Sequence, residues 1–266
     1  MIKRKLADTR NMIQIKTERE IDMMRTAGRI AALARNLAGE MVEVGVTTSS
    51  IDKAVHKYLI SQGAAPSFLG YRDYPASICI SVNDEVIHGI PSSRKLISGD
   101  LVSIDIGATK NGYIGDCSAT YIAGKGSSEL ERHIMVTRQC FFEGLKFAKA
   151  GNRVSDISRA VQQYAEANGF TLVKEYTGHG VGRKLHEPPE IPNFILKPRK
   201  GPDPRLMPGM TLAIEPMVNA GVAGIIVLDD GWTVKTADGK NSAHYENTIL
   251  ITEDEPEILT VCEGMP

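Results

Sequence analysis

Residues 44–63, VGVTTSSIDKAVHKYLISQG, recur without a gap at residues 150–169 as AGNRVSDISRAVQQYAEANG. At this spacing of 106, Gly45 aligns with Gly151, Ile51 with Ile157, Ala54 with Ala160, Val55 with Val161, Tyr58 with Tyr164 and Gly63 with Gly169. A second match follows downstream. Residues 98–106, SGDLVSIDI, resemble residues 208–216, PGMTLAIEP, at a spacing of 110, which aligns Gly99 with Gly209 and Asp105 with Glu215. Two amphipathic helices can match by chance, but the run of identities favours duplication. Each half then reads helix, helix, strand with a carboxylate, and a second strand carrying Asp116 or Glu246. Two such halves meet at a pseudo-two-fold axis. A site between them draws one carboxylate pair from each half.

Local signals fill in the elements. Thr17-x-x-Glu20 is a capping box that opens a helix over about 18–38, with Gly39 as its stop. Helical spacing of Ile51, Val55 and Leu59 predicts a helix over about 50–62, capped by Thr48 or Ser49 and stopped by Gly63. Strand-like runs cover 77–82 and 101–106, and Asn111-Gly112 is a hairpin turn. The turn places Asp105 and Asp116 on paired strands. Helices follow over about 128–149 and 156–168, the second capped by Ser155.

Composition narrows the class. The chain has 266 residues, 42% hydrophobic and 24% charged, with a formal net charge of -1. That is an ordinary globular composition, and it argues against a general nucleic-acid binder. Cys79, Cys117, Cys140 and Cys262 form no CxxC pair and read as reduced thiols of a cytoplasmic protein. No window reaches the ~18 apolar residues of a membrane span. Residues 1–16, basic through Lys3, Arg4, Lys5 and Arg10, read as a flexible extension without the apolar core of a signal peptide. Residues 17–266 read as a single catalytic domain.

The chemistry lies in four carboxylates and a histidine. Asp105, Asp116, Glu215 and Glu246 sit in apolar, β-branched runs that read as strands. An ionised carboxylate there is costly without compensation, and no Arg or Lys alternates with these residues on the same strand face. A divalent metal serves several carboxylates at once. With His179 in a GHG turn the donors are oxygen-rich with one imidazole, which suits Mn, Fe, Co or Zn without choosing between them. Four carboxylates exceed the need of one ion, so two divalent metal ions are expected. Each residue has a bland alternative: a lone strand Asp is usually at the surface, and His179 alone could be a turn residue. Their joint occurrence carries the weight. His56 and His133, on helical stretches, read as solvent-facing. His244 shares a strand face with Glu246 and reads as a neighbour of the metal ligands. Cys117 points away and reads as core.

The segments NDEVIHGIP, IDIGATKNGYIGD, GHGVGRKLHEPP, TLAIEPMVNAG, DGWTVKT and YENTI, at residues 83–91, 104–116, 178–189, 211–221, 230–236 and 245–249, together closely resemble the type I methionine aminopeptidases. The resemblance covers about residues 17–260 in one continuous order. It implies an α/β (α+β) pita-bread fold: two pseudo-symmetric halves, a curved central antiparallel sheet, helices outside. It implies that Asp105 chelates one metal, that His179 and Glu215 hold the other, and that Asp116 and Glu246 bridge. His88 and His186 match histidines that contact the scissile peptide, and Glu215 the group that handles the proton of the attacking water. Phe68, Tyr71, Tyr74, Cys79, Leu185 and Trp232 fall where the family lines its methionine pocket. Leu185 stands where Phe is common and Phe68 where a small thiol occurs. His244 and Asn247 replace a common Gln and His beside Glu246.

The implied activity is removal of the initiator methionine from nascent proteins and peptides when the second residue is small. The expected partner is a peptide or nascent-chain N-terminus, with ribosome association as one setting. No specific nucleic acid, no membrane and a monomeric enzyme are expected. The Pro-containing segment 193–206 reads as a rigid basic loop near the entrance. Two other functions are weighed. A proline-directed peptidase of the same fold usually carries a further N-terminal domain, which the residues before Thr17 do not supply. A metal-free binding protein on this scaffold is expected to have lost ligands, whereas all five are present.

Overall fold

The computed structural model describes residues 12–195 and 202–261. The first half holds helices α1 (Glu18–Glu40) and α2 (Thr48–Ser61), the second α3 (Ser128–Leu145) and α4 (Val154–Ala167). First-half strands are β1 (Ala65–Pro66), β2 (Cys79–Val82), β3 (Glu85–Ile87), β4 (Leu101–Lys110) and β5 (Tyr113–Ile122). Second-half strands are β6 (Thr171–Leu172), β7 (Gly178–Gly180), β8 (Glu187–Ile191), β9 (Thr211–Ile214) and β10 (Met217–Asn219). They continue as β11 (Ile225–Val227), β12 (Val234–Thr236), β13 (Ser242–His244), β14 (Glu246–Leu250) and β15 (Glu257–Ile258).

One antiparallel sheet joins the halves in the order β1-β4-β5-β14-β9-β7-β8, with β2 also on β4 and β15 on β14. The seam between halves is β5–β14. Each half packs its helices on this sheet through the repeated positions. Ile51, Val55 and Leu59 are buried in one core, and their counterparts Ile157, Val161 and Ala165 in another. This is the pita-bread arrangement that the resemblance implies, and the repeat agrees with it.

The helix ends follow local chemistry, with several shifts from the expected bounds. The Thr17 N–H and hydroxyl both donate to the Glu20 carboxylate at 2.9 Å. α1 runs through Gly39, because an added Cβ there would lie 2.4 Å from Tyr121 Cε1; this glycine serves packing and is no stop. Thr47 caps α2 by accepting from the Ser50 N–H at 3.2 Å. Helix α3 ends at Leu145. In α4, Asp156 accepts from the Arg153 N–H at 2.9 Å, and Ser155 lies inside the helix with its hydroxyl on Asp203. At the hairpin, Asn111 (φ 54°) and Gly112 (φ 78°) both take left-handed backbone, as a two-residue primed turn requires. Helix α1 rides against β5 where a Cβ on Gly115 would lie 2.4 Å from Gly28 Cα.

Two readings of surface histidines are corrected. His133 is 2% exposed; its Nε2 lies 2.8 Å from the Val218 carbonyl and its ring stacks on Phe170. His56 is half-buried with Nδ1 2.8 Å from Ser77 Oγ. Helical spacing locates a face but does not tell which neighbour covers its edge. Lys16, expected to end the flexible extension, is instead buried: its N–H donates to the Gly209 carbonyl and its Nζ lies 2.7 Å from Glu187 Oε2. Lys3, Arg4, Lys5, Arg10 and Cys262 lie outside the described residues. Cys79, Cys117 and Cys140 are buried and form no disulfide among the described residues. No helix among the described residues is long and apolar enough to cross a membrane.

Candidate metal centre and peptide cavity

The sheet register assembles the site. Directly opposed residues of antiparallel strands share a face, as do residues two apart on one strand. Cys79 opposes Asp105, Asp105 opposes Ser118, and Ser118 opposes Glu246 across the seam. One row therefore runs Cys79–Asp105–Ser118–Glu246. On the first half, Gly107 opposes Asp116. On the second, Ala213 opposes both Thr248 and His179. Glu215, two residues beyond Ala213, points the same way. Small residues separate the large donors, so the donors can converge above them.

Asp116, His179 and Glu246 converge until one donor atom of each lies within 4.8 Å of the others. His179 Nε2 is 3.4 Å from Glu215 Oε1 and 3.9 Å from Asp116 Oδ2. The His179 Nδ1–H donates to the Gly180 carbonyl at 2.9 Å, which turns the Nε2 lone pair toward the carboxylates. Asp105 lines the same cavity and is open to it on one side.

The electrostatics call for a cation. Burial pushes the Asp105 carboxyl up to about 7 and Glu215 up to about 8. Burial, followed by repulsion from neighbouring carboxylates, raises Asp116 and Glu246 well above the usual range. Burial also pushes His179 down to about 3, and His88, His186 and His244 to about 4, so these imidazoles are neutral at pH 7. Asp105 Oδ1, Asp116 Oδ1, Glu246 Oε1 and His244 Nε2 are buried without a hydrogen-bond partner. A divalent cation resolves the carboxylates' share of this, because it ionises them and satisfies their orphaned oxygens. The donor set fits a hard or borderline metal.

The centre opens into a cavity of about 260 Å³, lined by Phe68, Tyr71, Tyr74, Cys79, His88, Leu185, His186 and Trp232 as well as the carboxylates. Every residue expected in the pocket is there. Gly107 makes room for Phe68, since its Cβ would lie 2.7 Å from the Phe68 ring. Tyr74 sits edge-on to Trp232 with centroids 5.0 Å apart, and its hydroxyl donates to the Gly89 carbonyl. The His88 ring stands perpendicular to Trp232 and Tyr176. Burial raises the Cys79 thiol well above its usual range, and Asp105 adds to this, so Cys79 is an uncharged wall group.

Some expectations shift. His244 does face the centre, with Nε2 3.6 Å from Glu215 Oε2. Asn247 does not: it lies on the opposite face, its Oδ1 accepting from Arg35 at 3.0 Å and from Thr260 at 2.9 Å. Register also revises the expected repeat of the second strands. Asp105 opposes Ser118 on β4–β5, and continuing the Ile214–Asn247 pairing sets Glu215, the repeat mate of Asp105, opposite Glu246, so Glu246 corresponds to Ser118 and not to Asp116. Arg72, Glu175, Tyr176 and Thr177 also line the cavity and were not anticipated; adjacency to Tyr71 and to the GHG turn was the available signal. In the segment 193–206, the described flanks dock on the second half: Asn193 donates to the Glu215 carbonyl, and Asp203 holds Ser155. Neither flank lines the cavity, and residues 196–201, with Pro198, lie outside the described residues.

Known proteins share this arrangement. Residues 22–253 match metallopeptidase family M24. A methionine aminopeptidase of Clostridium perfringens is 52% identical over 94% of this chain and 99% of its own length. Methionine aminopeptidase 1 of Bacillus subtilis is 50% identical over 94% and 99%. The crystal structure of methionine aminopeptidase from Rickettsia prowazekii superposes with a TM-score of 0.90 at 39% identity, over 94% of this chain and 100% of that one. With Asp105, Asp116, His179, Glu215 and Glu246 lining one cavity with apolar walls, the chain belongs to metallopeptidase family M24 and, within it, groups with the methionine aminopeptidases.

Proposed function

We propose that this protein is a metalloaminopeptidase that removes the N-terminal methionine from peptides and nascent proteins when the second residue is small. The observation that carries the reading is the convergence of Asp105, Asp116, His179, Glu215 and Glu246 at the floor of a cavity walled by aromatic, thiol and aliphatic groups. Asp105, Asp116, His179, Glu215 and Glu246 would hold two divalent ions, with Asp116 and Glu246 assigned to serve both. Such ions, when bound, would supply an acidified water and a clamp on the scissile carbonyl oxygen.

The remaining roles belong to the chain's own groups. Phe68, Tyr74, Cys79, Leu185 and Trp232 enclose the methionine side chain, where sulfur–aromatic contacts contribute ~0.3–1.5 kcal/mol each. The methionine α-amine faces the carboxylates and fixes the register of the peptide. His88 and neutral His186 stand over the cavity and hold the scissile amide by hydrogen bonds. Glu215, a carboxylate at the floor, takes the proton of the attacking water at one oxygen and passes it to the departing amine. The second residue of the substrate is expected to be small. The expected setting is a monomer in the cytoplasm acting on chains as they emerge from the ribosome.

The test is metal reconstitution followed by hydrolysis of Met-Ala-Ser, Leu-Ala-Ser, N-acetyl-Met-Ala-Ser and an Xaa-Pro peptide. Met-Ala-Ser is expected to be cut fastest. Leu-Ala-Ser should follow, since shape alone separates apolar side chains by ~1–3 kcal/mol. The acetylated peptide should resist cleavage. Equal cleavage of the acetylated peptide would overturn the aminopeptidase reading, and preferential cleavage of the Xaa-Pro peptide would make the protein a proline-directed peptidase.

A further inference from the structure

Within the main sheet the two halves meet along few backbone rungs; β3 also pairs with β12 in a separate sheet. The β4–β5 hairpin is paired continuously from Leu101–Ile122 to Lys110–Tyr113, whereas β5–β14 is paired only at Glu246–Ser118 and Asn247–Cys117. Side chains close the rest of this seam. The Thr248 hydroxyl accepts from the Asp116 N–H at 3.0 Å and donates to the Asp116 carbonyl at 2.9 Å. The Thr120 hydroxyl does the same for His244, accepting from its N–H at 2.9 Å and donating to its carbonyl at 2.8 Å. These are symmetry mates: Thr120 and Thr248 are 128 apart, as are Asp116 and His244, and as are Ser118 and Glu246. Beneath the seam, buried Arg35 of α1 reaches the Glu246 carbonyl at 3.1 Å and the Ser118 carbonyl at 3.3 Å through Nη1.

The pattern is reciprocal. Thr248 of the second half registers Asp116 of the first. Arg35 of the first half registers Glu246 of the second. Asp116 and Glu246 are also the residues assigned to serve both ions, so the same two backbones carry the staples and the bridging carboxylates. We propose that Thr248 and Arg35 are positioning residues that set the separation of Asp116 from Glu246, and with it the affinity of the centre for metal. Thr120, built the same way, positions His244, to which no metal is assigned, and also meets Ser103 Oγ at 2.8 Å. The inference rests on the reading of Asp116 and Glu246 as metal ligands.

The symmetry supplies its own control. Thr248→Val and Thr120→Val each remove one hydroxyl that makes two backbone bonds across the seam, and the Thr120 hydroxyl also meets Ser103 Oγ at 2.8 Å, so a purely structural role predicts at least as large an effect from Thr120→Val. The metal-loaded full chain and its variants are challenged with a graded Mn²⁺/chelator buffer, and retained metal is measured by elemental analysis. Thr248→Val is expected to weaken retention ~10–100-fold, the usual effect of losing a partner behind the ligands. Thr120→Val is expected to match the wild type within a few-fold in retention, although it lowers the melting temperature at least as much as Thr248→Val. Thr248→Ser, which keeps the hydroxyl, should restore retention. If Thr248→Val does not fold, Arg35→Lys, which keeps the charge but loses the paired carbonyl contacts, is expected to weaken retention similarly. Equal retention by Thr248→Val and Thr120→Val, or wild-type retention by a folded Arg35→Lys, overturns the proposal. A wild-type protein that retains no metal overturns the ligand assignment beneath it.

Discussion

The phenolic oxygen of Tyr71 lies 2.8 Å from Nδ1 of His186, and the His186 ring lies 4.2 Å, centroid to centroid, from that of His179. Burial keeps His186 neutral at pH 7, pushed down to about 4. When Tyr71 donates to Nδ1, the proton of the neutral ring sits on Nε2, where it can be given to an oxygen that gains charge during attack. Tyr71→Phe removes the group that fixes this tautomer. Turnover of Met-Ala-Ser is expected to fall about 3- to 10-fold, the worth of one ordinary hydrogen bond. His186→Ala and His88→Ala are expected to cost far more. Metal content in all three should stay near that of the wild type, and steady-state kinetics with elemental analysis check this. Loss of metal from His186→Ala or His88→Ala would make that imidazole a ligand.

Asp116→Asn tests the bridge. An amide keeps the shape but not the charge, and the orphaned Oδ1 of Asp116 points to a cationic partner. The variant is expected to lose turnover and most of its metal while its circular dichroism stays native. Normal metal content with activity would remove Asp116 from the centre.

Without metal the protein should lose stability as the pH rises. Asp105 is pushed up to about 7 and Glu215 to about 8, with Asp116 and Glu246 also raised. Unfolded carboxyls titrate near pH 4, so the folded state holds more protons than the unfolded state from there to about pH 8. Stability then falls with rising pH. The buried histidines act oppositely but only below about pH 6.5, where the unfolded chain takes up their protons. The clean window is therefore about pH 7 to 8.5. Urea midpoints in the presence of EDTA should drop across it, and saturating Mn²⁺ should flatten the curve. A midpoint in EDTA that rises with pH would contradict the burial of these carboxyls.

Lys16 and Glu187 form a buried pair at 2.7 Å, with side chains 6% and 7% exposed. Lys16→Met leaves Glu187 buried without its cation. The expected cost is ~3–5 kcal/mol, whereas the double change Lys16→Met with Glu187→Leu should recover much of it. Urea denaturation of the three proteins measures this. A neutral single variant would show that the Lys16–Glu187 pair contributes nothing to stability.

Much of the architecture was legible because it is encoded locally or twice. The paired helices carry their apolar stripe at i, i+4 and i+8 in both copies, as Ile51, Val55, Leu59 and Ile157, Val161, Ala165. Asn111-Gly112 states its own turn, since both residues tolerate positive φ. The carboxylates pointed to a cation because an ionised acid in an apolar strand is costly until a positive charge compensates it.

What the sequence did not state are relations across the seam. Residue spacing along the chain suggested Asp116 and Glu246 as counterparts, but the registers of β4–β5 and of β9–β14 make Ser118 the counterpart of Glu246. Strand alternation placed Cys117 correctly in the core, yet the direction of Asn247 toward Arg35 depends on α1 passing beneath β14. His133 reads as exposed on its helix, but Phe170 and Val218, distant in the chain, close over it. Local chemistry alone determined which residues could bind a metal and which segments are helix or hairpin. Only tertiary packing decided which donors converge, because the five donors come from both halves and approach one another where the halves join, a contact no short stretch of sequence contains.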